Sequence, residues 1–481
     1  MISSMAKSGA QKAPWLMASV LFLAAFMNLL DATIVNLALP EIQHTLNASS
    51  AQLQWIMVVY IVSFAAGLLP FGRFGDLFGR DRMFLWGLVV FLISSAACGF
   101  ASSIELLIAY RVLQGFASAM MVPQVLAIIH ATFPAESKGK AIGFYGMISA
   151  LGAVAGPLVG GFLISANLLD LGWRLIFLIN IPLGFVAMIG ALFLVPKVRA
   201  TNRISPDWFG TVLFAFIIIG LIFPLIEGSS YGWPVWMIGL MLCSAGLAVW
   251  FVQRQKQLEG QGRVQTLPVN LMADGFFVSG LAAVTAFSAG IAGVFVMMAI
   301  LLQSGLDYSA AETGLALVPH PASAMVASLL TGRLGPRWFD ARIGTGALSL
   351  LLGMIWLYSV LSGVGGALNS AALVGPFVLI GTGMGTTIVA LFQVTLSRVA
   401  NSDAGAGSGI LQTFQQIGIA LSIAVIGQIF FSHLGVDTSQ LTYVNAAQTA
   451  LLLPILIYAV LSALYLYRAV LHRDGVISLP R

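Results

Sequence analysis

Asp31 is the residue whose chemistry is hardest to explain by packing alone. It lies in the stretch LDATIVNLALP, residues 30–40, inside an otherwise apolar run that begins at Trp15. A charged side chain at such a position costs about 2.5–3.5 kcal/mol even on a lenient membrane-insertion scale. We therefore expect a buried partner that offsets this cost and a function that retains the carboxylate.

Arg111 is the predicted partner. Asp31 is nine residues before Pro40 and Arg111 is seven residues after Ile104. At the helical rise per residue, both side chains lie about 10–14 Å below the outer boundary of their spans. Burial favours the protonated form of a carboxyl group and a nearby guanidinium favours the charged form, so small movements between them can load or unload a proton. The alternative is an ion pair that only orients two helices.

The composition predicts an all-α polytopic membrane protein. Of 481 residues, 59% are hydrophobic and 8% are charged, against about 25% charged residues in soluble proteins. The two cysteines, Cys98 and Cys243, lie in apolar runs and support neither a disulfide framework nor a thiol metal site. No cleavage site of small residues follows a short apolar core, so the first span is expected to be retained. Fourteen runs are long enough to cross a bilayer, namely 15–39, 51–71, 83–102, 104–130, 138–165, 173–195, 207–227, 233–253, 274–302, 312–332, 343–364, 369–395, 405–432 and 446–468.

The basic residues give this span count an independent check. Twenty of the 22 Lys and Arg residues fall in the even-numbered connections and the two tails, and only Arg111 and Arg174 do not. Cytoplasmic loops carry such an excess of basic residues, which predicts that both termini are cytoplasmic. The formal net charge of +5 is explained in the same way, without a nucleic-acid partner.

An internal repeat predicts two related halves. The tetrapeptide at 72–75, GRFG, returns 260 residues later as GRLG at 332–335, each time after a span that descends to the cytoplasm. Two six-helix halves, 15–195 and 274–468, would then flank a separable pair of extra helices at 207–253. Duplicated halves of this kind are typical of secondary transporters.

Four motifs of this chain recur in known membrane proteins. Residues 72–82, GRFGDLFGRDR, resemble the loop motif G-x-x-x-D-x-x-G-R-[KR] of the major facilitator superfamily, although Asp81 occupies a position that is usually basic. Arg111-Val112-Leu113-Gln114-Gly115 is similar to R-x-x-Q-G, and Gly152, Gly156, Pro157, Gly160 and Gly161 match the antiporter motif G-x-x-x-G-P-x-x-G-G. The stretch LDATIVNLALP, with Trp173, Arg174, Phe177, Asn180 and Pro182, resembles the fourteen-helix drug:proton antiporters.

The resemblance assigns roles that can be compared with simpler interpretations. The glycines of 72–82 permit a tight cytoplasmic turn, and Asp76 can pair with Arg80 or Arg82. The resemblance implies that this loop is a gate, made of Gly72, Asp76, Gly79, Arg80 and Arg82, whereas a solvated basic loop is the plainer alternative. The glycines at 152–161 allow close helix packing and Pro157 can kink the span. Simple packing and control of the antiport conformational change remain equal alternatives there.

Polar residues inside the spans are candidates for lining a substrate cavity. His320 lies between Pro319 and Pro321 near the predicted midplane, and the 260-residue offset maps it onto Tyr60. It can titrate near neutral pH, or it can be a core histidine bonded to a carbonyl freed by a proline. Glu227, at the outer end of the seventh span, is interpreted as an interfacial residue. The full set of cavity candidates is Asn36, Tyr60, Gln114, His320, Gln412 and Gln416, the last two of which can equally hold helices together.

These observations predict a proton-coupled secondary exporter that works by alternating access. By resemblance, its substrates are lipophilic cationic or amphipathic drugs, with the proton gradient as energy source and no cofactor. The expected partners are the small-molecule substrate, protons and the lipid bilayer of the cell membrane, with a monomeric chain. An exporter of a metabolite, amino acid or lipid-like compound is the main alternative, and a membrane sensor or scaffold is another. The absence of phosphate-binding, nucleophile and metal motifs argues against an enzyme.

Overall fold

Most of the described part of the chain is helical. This computed structural model describes residues 2–197, 207–228, 231–261, 263, 265, 269–334, 338–363, 368–397, 399, 404–434 and 439–473. Its α-helices are α1 Ile2–Leu46, α2 Ser50–Phe78, α3 Arg80–Gly99, α4 Ile104–Thr132, α5 Ala135–Ala166, α6 Leu175–Leu178, α7 Asn180–Leu194, α8 Trp208–Glu227, α9 Val235–Gly260, α10 Val269–Ala273, α11 Gly275–Ala289, α12 Ala292–Ile300, α13 Ala310–Leu317, α14 Pro319–Arg333, α15 Phe339–Ser362, α16 Ala371–Leu396, α17 Ala404–Leu434 and α18 Gln440–Arg473. Short 3-10 turns at Leu168–Asp170 and Gly172–Arg174 precede α6, and a π-helical turn at Leu301–Gly305 follows α12.

The all-α membrane fold class is confirmed. In the described part of the chain, 13 helical segments are long and apolar enough to cross a membrane, and α5 adds a further apolar stretch, Val154–Ala166. Three of these segments, Gly172–Leu194, Gly275–Gly305 and Ala310–Gly332, each join two or more consecutive helical pieces. The predicted fourteen membrane helices agree with this architecture.

Several predicted helix ends are wrong because prolines and glycines do not stop these helices. The first span was predicted to end before Pro40, yet α1 continues through that proline to Leu46. Helices in membrane proteins tolerate proline where neighbouring groups satisfy the backbone. Asp31 therefore lies near the middle of the apolar segment Pro14–Leu46 rather than close to its outer end.

The largest correction concerns residues 72–82, which were predicted to form a cytoplasmic loop but are helical except at one residue. Helix α2 continues to Phe78, and the turn is Gly79 alone, with φ 105° and ψ 128°, a conformation that suits glycine. Gly75 lies inside the helix, where a side chain would collide with that of Gln124 on α4. Arg80 begins α3 and donates to the carbonyl of Ala127 at 2.9 Å. Arg82 is exposed, and the side chain of Asp76 lies outside the described residues.

Polar residues mark several helix starts. Ser49 and Gln52 form a capping box at the start of α2, in which each side chain bonds the other's backbone N–H. Ser309 and Glu312 do the same at α13. Ser103 caps α4 by accepting from the Leu106 amide. These caps fix where each helix begins, and with it which residues face inwards.

The chain divides into two compact units. Unit 1 comprises Met1–Ile217 and Leu247–Leu267, and unit 2 comprises Ile218–Gly246 and Pro268–Arg481. In unit 1, α1 packs on α5 and α7, while α4 packs on α2 and α3. In unit 2, α16 packs on α14 and α15, α15 on α18, and α11 on α17. The boundary between the units falls within α8 and α9, and the separable helix pair at 207–253 stays a prediction.

Candidate functional site

Asp31 and Arg111 meet, as the sequence predicts. Arg111 Nη1 lies 2.7 Å from Asp31 Oδ2, and both side chains are 0% exposed. The two residues come from α1 and α4, and they are 80 positions apart in the chain. A buried pair of this kind keeps both charges only while the partners stay together, because a lone buried charge is costly.

Two side-chain amides complete the surroundings of the carboxylate. Gln114 Nε2 donates to Asp31 Oδ1 at 2.9 Å, and Asn180 Nδ2 donates to the same oxygen at 2.8 Å. Gln114 Oε1 in turn accepts from Arg111 Nη1 at 2.7 Å. The carboxylate thus receives three hydrogen bonds from residues of α4 and α7, all from fully buried side chains.

Ser95 on α3 links both amides. Its hydroxyl accepts from Asn180 Nδ2 at 3.0 Å and from Gln114 Nε2 at 3.2 Å, and it donates to the carbonyl of Phe177 at 2.9 Å. A hydroxyl can act as donor and acceptor at once, which is the property this position requires.

A second group of contacts surrounds the guanidinium. Arg111 Nε donates to the carbonyl of Ile56 at 3.2 Å, and its charge lies 4.1 Å from the centre of the Tyr60 ring. The Tyr60 hydroxyl accepts from Asn28 at 2.9 Å and lies 2.9 Å from the Ser118 hydroxyl. We call the connected set the Asp31 network, consisting of Asn28, Asp31, Tyr60, Ser95, Arg111, Gln114, Ser118 and Asn180.

Two polar atoms of this network make no hydrogen bond within the described part of the chain. Arg111 Nη2 and Asn180 Oδ1 are buried and have no hydrogen-bond partner among the described residues. In that part of the chain, no group of three or more His, Cys, Asp and Glu side chains is placed to hold a metal ion. A carboxylate surrounded by amides and hydroxyls can bind a proton and can exchange hydrogen-bond partners.

The glycine motif of α5 packs directly on the helix that carries Asp31. A methyl group added at Gly152 would lie 2.7 Å from the carbonyl oxygen of Phe26, and one at Gly160 would lie 2.6 Å from Ile34. Gly156 faces Thr33 at an even closer approach. Pro157 and Gly161 are buried in the same helix, which is continuous from Ala135 to Ala166. These residues fix the distance between α5 and α1.

The other cavity candidates do not join the Asp31 network. Asn36, on α1, is partly buried, and its Oδ1 is buried with no partner in the described part of the chain. In unit 2, His320 Nε2 lies 3.2 Å from Met384 Sδ, and the His320 ring is 4.1 Å from that of Phe295. Near this histidine α13 ends at Leu317 and α14 begins at Pro319, and Val318 between them keeps helical φ and ψ. Gln412 and Gln416 are partly buried on α17, and Glu227 is the last, partly buried residue of α8.

The sequence pattern did not reveal several members of the network. Asn28, Ser95 and Ser118 were not predicted as site residues, and Asn180 appeared only as part of the family resemblance. Each is a single polar residue in an apolar run, which was the available signal.

Arg342 was also misplaced. It was predicted to be a loop residue, but α15 begins at Phe339, so Arg342 is 6% exposed inside a helix. Its Nη2 donates to the Thr331 carbonyl at 3.0 Å and to Gln393 Oε1 at 2.9 Å.

The two extra helices are joined by a second ion pair. Arg254 of α9 donates to both oxygens of Asp207, which precedes α8, at 2.6 and 2.8 Å. Burial alone would raise the pKa of Asp207, but hydrogen bonds from Arg254, Gln255 and the Gly210 amide outweigh it and lower the pKa to about 2. This pair ties α8 to α9 at one end.

Comparison with known proteins identifies the family. The model of the Major Facilitator Superfamily matches residues 21–210 and 206–423. A probable actinorhodin transporter of Streptomyces coelicolor is 37% identical over 422 residues, which cover 88% of this chain and 73% of that protein. The tetracenomycin C resistance and export protein of Streptomyces glaucescens is 29% identical over 434 residues, 89% of this chain and 78% of that protein.

A solved structure supports the same fold. The crystal structure of a bacterial homologue of the human lysosomal transporter Spinster, inward-facing and unoccupied, superimposes with a TM-score of 0.66 at 17% identity. The match covers 95% of this chain and 97% of that one. The family model spans most of this chain, and the relatives carry the names of transport and resistance proteins. The chain belongs to the major facilitator superfamily of membrane transporters, of the drug-efflux type.

Proposed function

We propose that this protein exports lipophilic cationic or amphipathic compounds across the cell membrane in exchange for protons, with Asp31 as the proton carrier. One observation carries the proposal, namely the fully buried ion pair between Asp31 and Arg111. A carboxylate held inside a transporter is expensive to keep and can change its protonation when its surroundings change. The names of the relatives, a transporter and a resistance and export protein, support export of small molecules.

The first step is the neutralisation of Asp31. A proton on this carboxyl group removes the attraction that holds α1 to α4 at the 2.7 Å contact. Arg111 then keeps its charge with only neutral groups around it, the Gln114 amide, the Ile56 carbonyl and the Tyr60 ring. Breaking a buried ion pair from one side costs about 3–5 kcal/mol. A free-energy change of this size is enough to favour a different arrangement of the two helices.

The second step passes the change from α1 to α5. Gly152, Gly156 and Gly160 hold α5 against α1 with no room for side chains. A shift of α1 must therefore either move α5 with it or open a gap between the two helices. In this proposal the close packing of the glycine motif against α1 couples the protonation of Asp31 to the conformational change. The motif thus does more than hold the two helices together.

Direct pairing of the substrate with Asp31 would require a different conformation of the protein. A deprotonated carboxylate would attract a cation, but Asp31 is 0% exposed and all its oxygens are hydrogen-bonded. A substrate can reach it only in another conformation. The coupling therefore acts through conformation, with the proton and the substrate bound alternately in the transport cycle. Both termini in the cytoplasm, a monomeric chain and the proton gradient as sole energy source complete the proposal.

Proteoliposomes test the proposal with ethidium as the probe. An imposed proton gradient should drive ethidium transport, and a protonophore should abolish it. Asp31→Asn should lose gradient-driven transport, whereas Glu105→Gln, at an exposed carboxylate of α4, should retain it. Ethidium transport by Asp31→Asn at the wild-type rate would refute the assignment of the proton to Asp31. Transport that survives the protonophore would refute proton coupling altogether.

A resistance profile addresses the substrate class. Cells that express the protein should gain resistance to cationic dyes and biocides and lose it when the gradient collapses. Failure to protect against any such compound would favour the export of a metabolite, amino acid or lipid-like compound instead.

A further inference from the structure

Gln114 and Asn180 donate to the same oxygen of Asp31, but they differ in what their own oxygens do. Gln114 Oε1 accepts from Arg111 Nη1 at 2.7 Å. Asn180 Oδ1 is buried and has no hydrogen-bond partner among the described residues. One amide is thus fixed at both ends, while the other is fixed only through its nitrogen.

The present arrangement suits a deprotonated Asp31. Oδ1 faces the N–H groups of Gln114 and Asn180, and Oδ2 faces the guanidinium of Arg111. All three neighbours donate, and a carboxylate only accepts. A protonated Asp31 carries an O–H that needs an acceptor, and the arrangement offers none: a proton on either oxygen would point at a donor.

Gln114 cannot supply the missing acceptor. If its amide turned over, its NH2 group would take the place of Oε1, 2.7 Å from Arg111 Nη1. Two donors would then face each other, and a guanidinium cannot accept. Gln114 is therefore locked by Arg111 in the orientation that suits the carboxylate.

Asn180 can supply the acceptor at no such cost. Turning its amide would place Oδ1 where Nδ2 now lies, 2.8 Å from Asp31 Oδ1 and 3.0 Å from Ser95 Oγ. The Ser95 hydroxyl, which now donates to the Phe177 carbonyl, can rotate and donate to the new oxygen. After the turn the amide nitrogen takes over the position without a partner and the Phe177 carbonyl loses its bond from Ser95, while the new O–H of Asp31 and Asn180 Oδ1 both gain partners.

We propose that Asn180 is the positioning residue that senses the proton of Asp31, by turning its side-chain amide from donor to acceptor when the carboxyl group is protonated. The inference rests on the proposed function, in which Asp31 gains and loses a proton. The proton adds to Asp31 Oδ1, the new O–H donates to Asn180 Oδ1, and no covalent bond of the protein breaks. Protonation also releases the Ser95 hydroxyl from Phe177, two residues before the interruption at Ile179 between α6 and α7.

Three titratable or charged side chains from neighbouring helices face Asp31 in the described part of the chain. They are Arg111 of α4, Tyr60 of α2 and Cys98 of α3. Helix α5 contributes the glycines of its motif, and α7 contributes Asn180. A substitution at Asn180 leaves all three of these groups in place, so a changed pH response of Asp31 in such a variant reports on the amide.

Infrared difference spectra of the purified full-length protein, titrated with acid in the absence of any substrate, test the proposal. The Asp31 band is the protonated carboxyl C=O absorption that is lost in Asp31→Asn. In wild type we expect this band together with a change in a side-chain amide C=O band. In Asn180→Leu the amide change should disappear, and the carboxyl band should move to higher wavenumber because its O–H has lost the acceptor. In Gln114→Leu, which removes the other donor to the same oxygen, the amide change should persist.

Asn180→Asp provides a second variant, in which the side-chain carboxylate can accept hydrogen bonds but cannot donate them. Its Asp31 band should persist to higher pH than in wild type, because the carboxylate has lost a donor and gained a negative neighbour. An Asp31 band with unchanged position and pH response in both Asn180 variants would overturn the proposal while leaving Asp31 as the proton carrier. No Asp31 band at any pH in wild type would instead overturn the proposed function, and this inference with it.

Discussion

The two compact units bury their polar side chains in opposite ways. In unit 1, a carboxylate and a guanidinium face each other at 2.7 Å, and neutral amides and hydroxyls from neighbouring helices surround them. In unit 2, His320 contacts a thioether and a phenyl ring, and in the described part of that unit it has no ion-pair partner. A proton added to unit 1 cancels a charge, whereas one added to His320 would create an unpaired one.

The buried arginines can be compared by the hydrogen bonds that they donate. Arg111 is held by the Asp31 carboxylate, while Arg342 of unit 2 bonds the neutral oxygens of Thr331 and Gln393. The strength of Arg111's bond to Asp31 thus depends on a proton. One proton can thus neutralise the buried carboxylate of the pair in unit 1, whereas burial of a titratable residue such as His320 does not by itself provide a charge to neutralise.

The largest effect on folding is expected from removal of Arg111. Arg111→Met leaves the Asp31 carboxylate buried without its partner, which costs about 3–5 kcal/mol of folding free energy. Adding Asp31→Asn to this variant removes the unpaired charge, so the double variant should regain part of the unfolding temperature that Arg111→Met loses. A double variant no more stable than Arg111→Met would contradict the view that the two charges of unit 1 stabilise each other.

The next prediction concerns two glycine seams, the helix contacts at Gly152 between α1 and α5 and at Gly383 between α15 and α16. Substitution there should have a smaller effect on stability, and at Gly152 a large effect on transport. Gly152→Ala in α5 places a methyl group against the Phe26 carbonyl of α1, and Gly383→Ala in α16 places one against the Gly346 carbonyl of α15. Overpacking of this kind costs about 1–3 kcal/mol in either unit. Because only the first seam borders the helix of Asp31, Gly152→Ala should lose more ethidium transport at a similar loss of thermal stability. A larger loss of ethidium transport in Gly383→Ala than in Gly152→Ala would contradict the role of the α1–α5 contact in coupling.

The smallest effect on stability is expected from the ion pair of Asp207 and Arg254, which joins α8 to α9. The pKa of Asp207 is lowered from 3.8 to about 2 in the folded protein, so its stabilising effect is complete above pH 3.8 and is lost as the pH falls towards 2. Asp207→Asn should lower the unfolding temperature slightly at pH 7, and the difference from wild type should shrink at pH 3. A constant difference between pH 7 and pH 3 would show that the pair with Arg254 does not contribute through charge.

Much of this fold follows from the sequence because hydrocarbon imposes simple rules. Long apolar runs predict the membrane helices, and the cost of burying Asp31 predicts its contact with Arg111. Helix ends were less predictable, since Pro40 and Gly75 lie within helices that packing partners support. Whether a lone polar residue faces inwards depends on tertiary packing. That is why Asn180 and Ser95 could not be assigned to the site from sequence.

The most direct test of the central claim compares Asp31 with His320. Addition of ethidium to the purified protein in a weakly buffered solution should release protons, which a pH indicator dye records. We expect wild type and His320→Gln to release protons to the same extent, and Asp31→Asn to release none while it still binds ethidium. Proton release by Asp31→Asn at the wild-type level, or its loss in His320→Gln, would contradict the assignment of proton coupling to Asp31.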